Sequence, residues 1–202
     1  MDNANKQLSR LFFDPFTYLS KNQTLVIGLT IILITGFINS FTNTHFDGIF
    51  DIHTGKSSAF VVFVTEGYII LILLTGLLFL IGTLFIKQRA NIFDLLGQQA
   101  LARWPLLLSS IITISKPYQR FCRMRSLREL YDFGIFRFNS LDNIVVSISI
   151  IVLLIITIWV VVLMYKSFSQ TYKVQRIKSV FLFILGVLIA EVLSKVLILR
   201  II

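Results

Sequence analysis

Five apolar stretches, each long enough to cross a bilayer as a helix, constrain this 202-residue chain more than any other feature. They run roughly from Leu25 to Phe41, Ala59 to Ile86, Ile92 to Ile114, Ile144 to Tyr165 and Val180 to Ile202. About 20 apolar residues in a helix cross a hydrocarbon core. Inside lipid every backbone N–H and C=O must be bonded within the protein, which makes helices the natural form for such runs. The predicted fold is therefore an all-α polytopic membrane bundle with about five transmembrane helices. The polar stretches between them are too short for an independent domain, which needs about 50 residues or more. One transmembrane helical domain over residues 24–202 is expected, preceded by an interfacial amphipathic segment over residues 1–23.

That leading segment places Leu8, Leu11, Phe12, Phe16 and Leu19 at helix-like spacing, interrupted at Asp14-Pro15. Proline disfavours helical geometry in the residue before it. Aromatic rings mixed with Arg10 and Lys21 suit the headgroup level or a short helix packed on the bundle. No cleavable signal sequence is expected, because no small-residue cleavage site follows the first apolar run.

The chain carries 19 Lys and Arg against 10 Asp and Glu, a formal net charge of +9. In a soluble protein such a balance suggests nucleic acid. Here 56% of residues are hydrophobic, and basic loops beside spans contact anionic headgroups instead. No nucleic-acid-binding motif accompanies the charge. If all five stretches cross, Lys and Arg in the loops and at the two chain ends, Arg200 included, divide 9 against 8 between the two sides. Such a split favours neither orientation.

The third stretch is the most polar, with Asp94, Gln98, Gln99, Arg103, Ser109 and Ser110. In an unbroken helix Gln99, Arg103 and Ser110 share one face. Pro105 has no N–H and leaves the Leu101 carbonyl without its helical partner, so a mid-span kink is expected. A re-entrant third segment is the alternative.

Glu66, Arg103, Glu191 and Lys195 are ionisable residues within the spans, and Gln99 joins them as a polar neighbour. A charge at the bilayer centre costs several kcal/mol, so each needs a partner inside the protein or water. Glu191 and Lys195 are four apart and can pair within one helix. Arg103 is expected to pair with Glu66, or else with Glu191. Such a network either fixes helix register or forms a polar path for protons, ions or headgroups.

The first loop spaces His45, Asp47, Asp51 and His53 as H-x-D-x-x-x-D-x-H. Imidazole with carboxylate ligates zinc, manganese or iron, although polar turns also use these residues. Asp47-Gly48 is a turn signal. It shares two residues with the lipid-phosphotransferase pattern D-G-x-x-A-R, whose Ala-Arg pair and later aspartates are missing.

The third loop, 115–143, holds Lys116, Arg120, Arg123, Arg125, Arg128 and Arg137, with a surface helix expected from Arg120 to Tyr131. It offers a basic face to anionic lipid or to a protein partner. Cys122, the single cysteine, lies in it and rules out an internal disulfide. There is no H-E-x-x-H, no G-x-S-x-G and no Gly-rich phosphate loop. Both histidines sit in one loop, so no span supplies a histidine base. The expectation is a non-enzymatic chain without a cofactor.

Four short motifs together resemble a bacterial member of the Yip1 family. They are Phe13-Asp14-Pro15-Phe16 before the first span, then Phe46-Asp47-Gly48 with Asp51. Asp94 and Gly97 follow, leading to Ala102, Arg103 and Pro105. Trp159 then precedes a basic and aromatic helix end and the last span. The resemblance implies a five-span integral membrane protein, in the cytoplasmic membrane if bacterial. Eukaryotic members bind Rab-type GTPases and reticulon-like proteins in membrane traffic. Their D-L-Y-G-P motif is missing, Asp94-Leu95-Leu96-Gly97 being a partial match, so GTPase binding does not carry over. The function expected is interaction with other membrane proteins or membrane organisation, with homo-oligomerisation open. A small transporter or proton-coupled component using the buried charges is the alternative.

Overall fold

Ser20 starts the first helix, α1 (Lys21–Thr42), with a capping box. Its hydroxyl accepts from the Gln23 amide, and the Gln23 side chain accepts from the Ser20 amide 3.0 Å away. Two of the donors that a helix start leaves unbonded are thereby satisfied. Asn43 ends the helix in the left-handed region, at φ 51°. The computed structural model describes residues 12–130, 139–174 and 177–201, with side chains at 12–123, 139–174 and 177–198. After α1 come the strands β1 (Thr44–His45) and β2 (His53–Thr54) and the helix α2 (Phe60–Ile81), which continues as a π-helical turn over Gly82–Ile86. The chain goes on through α3 (Ile92–Leu101), α4 (Leu106–Ile112), α5 (Lys116–Leu130), α6 (Ser140–Tyr172) and α7 (Ile177–Ile201).

Four helices among the described residues are long and apolar enough to cross a membrane: Lys21–Thr42, Phe60–Ile86, Ser140–Tyr172 and Ile177–Ile198. The third apolar stretch is different. It divides into α3 and α4 around residues 102–105, where successive amides bond three residues back (Arg103 to Ala100, Trp104 to Leu101). Pro105 supplies the reason, since it cannot donate to Leu101. The two pieces nevertheless run the length of α1 in the same direction. Gly97 lies on Leu25, Gly28 on Ala100 and Leu101, and the Thr42 and Thr113 hydroxyls are 3.4 Å apart. With about 33 Å of helix in α1, the broken third stretch traverses the bundle, and the re-entrant alternative is set aside.

The α1–α3 contact depends on Gly28. A Cβ there would stand 2.6 Å from the Leu101 backbone nitrogen and 2.7 Å from the Ala100 Cβ. Small residues let membrane helices approach this closely. Gly28→Val is therefore expected to force the two helices apart and to cost about 1–3 kcal/mol or more. The check is reversible unfolding in mixed micelles, where wild-type-like stability would contradict this packing.

Large apolar side chains face outward, among them Phe41, Ile72, Leu154, Phe181 and Val192, while Thr35, Asn39, Glu66, Thr75, Gln99, Arg103 and Ser109 are buried. Lipid rewards that distribution, because it neither penalises exposed hydrocarbon nor solvates polar groups. The chain is a multi-pass membrane protein.

From Phe12 onward the leading segment folds onto the bundle, while Leu8, Arg10 and Leu11 lie outside the described residues. Phe12 packs on Trp104 with ring centroids 5.2 Å apart, and Phe13 on Trp159 at 5.4 Å. Lys166 donates to the Phe13 carbonyl at 2.8 Å, and Gln170 to Asp14 at 3.2 Å. Trp159 is half-buried against Trp104, at 4.7 Å between centroids.

Candidate functional site

The polar interior gathers where the first loop sinks between the helix ends. Thr44 pairs with Thr54 and His45 with His53 in a two-residue antiparallel ladder. Residues directly opposite in a ladder are close neighbours on one face, so the two imidazoles stack with centroids 5.8 Å apart. Thr44, His45, Phe46 and Ile49 are all buried, so this loop belongs to the core.

His45 is held from both sides. Its Nε2 lies 3.0 Å from the Lys56 carbonyl and therefore donates, while Nδ1 faces Glu66 Oε1 at 2.6 Å. The other Glu66 oxygen accepts the Phe46 amide at 3.3 Å. Burial alone lowers the His45 pKa. The bond to Glu66, the Lys56 carbonyl and the charges of Glu66 and Asp47 outweigh it, and the pKa is raised above 6.5. Asp47 is also raised, first by burial and then by the charge of Glu66, against the opposing pull of His53. Asp47 Oδ2 lies 3.5 Å from His53 Nε2, and the buried Oδ1 has no hydrogen-bond partner among the described residues. One ligand atom each from His45, Asp47 and Glu66 fall within 4.8 Å of one another.

A second cluster adjoins the first through His53, whose Nδ1 is 3.8 Å from Asp51. Lys195 bridges Asp51 at 2.9 Å and Glu191 at 3.3 Å. Glu191 in turn accepts the amides of Ile49 and, at 3.2 Å, Phe50. Its carboxylate lies over Gly48, where a Cβ would meet an oxygen at 2.4 Å. The turn glycine is thus needed for close approach.

The sequence-derived network is divided accordingly. Glu66 pairs with His45 instead of Arg103, and Glu191 with the loop and Lys195. Arg103 is buried and forms no salt bridge among the described residues. Its Nη1 donates to the Gly67 carbonyl at 3.4 Å, whereas Nε and Nη2 have no partner among the described residues. A cavity of about 20 Å³ adjoins it, lined also by Thr35, Gly36, Phe46 and Ile49. A cavity of that size has room for roughly one water molecule. Gln99 does not share the face of Arg103. It donates to the Met164 carbonyl at 3.0 Å and the Ser167 hydroxyl at 3.2 Å. The tightened turn between α3 and α4 removes the regular 3.6-residue phase on which a shared face depends.

No spacing in the sequence relates His45 to Glu66, because one lies in a loop and the other in a span. One signal was available: Glu66 lies only six residues into α2, within about 9 Å of the helix start. Of the basic loop, Lys116, Arg120 and Arg123 are exposed on α5, and Arg120 pairs with Asp142 at 3.0 Å. Arg125 and Arg128 lie outside the residues whose side chains are described. The Yip1 domain family model matches residues 10–198. No curated protein and no solved structure matches the chain.

Proposed function

The chain belongs to the Yip1 domain family, and on that premise we propose a non-enzymatic membrane module that binds other membrane proteins or organises lipid around it. The observation that supports this reading is where charge is used up and where it is left available. Glu66 and Glu191 are engaged by the first loop, and the cavity beside Arg103 is water-sized. In contrast, Lys116, Gln119, Arg123 and Arg120, the last also paired with Asp142 at the surface, line an open recess of about 370 Å³ on α5. A basic recess at a helix end beside the spans suits an acidic protein segment or anionic headgroups.

Crosslinking with mass spectrometry in native membranes tests this. Joint replacement Arg120→Glu and Arg123→Glu is expected to remove most of the captured partner. The fold should stay intact, because the surface pair of Arg120 with Asp142 contributes about 1 kcal/mol or less and other exposed substitutions usually change stability by about 0.5 kcal/mol or less. An unchanged partner set would contradict the proposal. A second reading, a small transporter or proton-coupled component, draws on Arg103 Nε and Nη2, which have no partner among the described residues. It requires flux that disappears in Arg103→Ala and survives the α5 charge reversals.

A further inference from the structure

We propose that His45, Asp47 and Glu66 form a binding site for one divalent metal ion of the zinc, manganese and iron(II) class, fastening the first loop to α2. The donors come from two separate elements, the loop and the helix. Nevertheless one ligand atom from each lies within 4.8 Å of the others.

The surroundings are those of a ligand set. The Nε2 of His45 is occupied by the Lys56 carbonyl, leaving Nδ1 turned toward the carboxylates. A backbone carbonyl on the far nitrogen is the usual means of orienting a ligating imidazole. The Phe46 amide orients Glu66 in the same way. Asp47 Oδ1 is buried with its acceptor capacity unused among the described residues. Buried acceptors are rarely left so, and a bound cation would satisfy this one. Two carboxylates in a partly desolvated site repel each other, a cost that a dication removes.

Donor chemistry narrows the metal. One imidazole with two carboxylates suits zinc, manganese or iron(II). Calcium and magnesium favour sites made wholly of oxygen. His53, 3.5 Å from Asp47 and half-exposed at the loop surface, stands where a fourth donor could join. Asp51 is committed to Lys195 at 2.9 Å and falls outside the set.

The experiment uses the full chain in detergent micelles, stripped with a chelator and then titrated separately with Zn²⁺ and Mn²⁺. Calorimetry and elemental analysis of the dialysed protein give the stoichiometry. One equivalent per chain is expected, together with a higher melting temperature in the metal-bound form. Asp47→Asn and Glu66→Gln should each weaken binding about tenfold or more, and Asp51→Asn should leave it unchanged. Asp47 is only partly buried, so its variant remains informative if Glu66→Gln fails to fold. Absence of binding to the wild type would overturn the proposal. So would affinity undiminished in both ligand variants, which would mean an adventitious ion only.

Discussion

Glu66→Ala is expected to destabilise the protein by about 3–5 kcal/mol, the loss seen when one partner of a buried ionic pair is removed. Glu66 is 1% exposed and its carboxylate serves two donors, His45 Nδ1 at 2.6 Å and the Phe46 amide at 3.3 Å. Alanine leaves both buried donors without an acceptor, and each orphaned group keeps its desolvation cost. The damage should spread to the first loop, whose burial of Phe46 and Ile49 depends on that anchor. Unfolding in mixed micelles gives the magnitude, and proteolysis within residues 46–56 reports release of the loop. Glu66→Gln keeps an acceptor and should lose much less. The double variant His45→Ala with Glu66→Ala should cost less than the two single losses added together, because the residues act as a pair. Strict additivity would show that the contact contributes nothing to stability.

Arg103→Met is expected to act in the opposite direction and to stabilise the fold by about 1–4 kcal/mol, as when hydrophobic residues replace buried charge. Arg103 is 4% exposed, has one long bond to the Gly67 carbonyl and leaves Nε and Nη2 without partners among the described residues. Methionine fills an irregular space with a flexible apolar chain and removes the cost of burying a guanidinium. A group retained at the expense of stability is a common sign of function. A rise in melting temperature with partner capture through α5 retained is the expected pair of results, and flux lost alongside it would favour the transporter reading. A fall in melting temperature would show instead that the guanidinium is compensated and serves as a structural element.

The apolar runs identified four long helices without ambiguity, because lipid permits few alternatives to an internally bonded backbone. The break in the third stretch was also legible, since Pro105 removes a donor wherever the chain places it. Its full crossing was not. Only the contacts of Gly97 with Leu25 and of Thr113 with Thr42 show that the two halves together match the length of α1. Likewise the intramembrane charges could be named from the sequence, but their partners could not. Helix spacing relates residues three or four apart, and it identified Glu191 with Lys195. Pairing across elements depends on which loop reaches which helix end.

What the sequence by itself determined is the solvent and the elements: a membrane, helices, and ionisable groups that must be protected within them. Those follow from local chemistry, because each residue faces lipid or avoids it on its own account. The tertiary structure alone decided that His45 rather than Arg103 meets Glu66, that Glu191 reaches the loop amides, and that Arg103 stands apart. The physical reason is range. An ionic or hydrogen-bonded contact acts over a few ångströms, and residues 21 or 141 positions apart come within that distance only when the whole chain has packed.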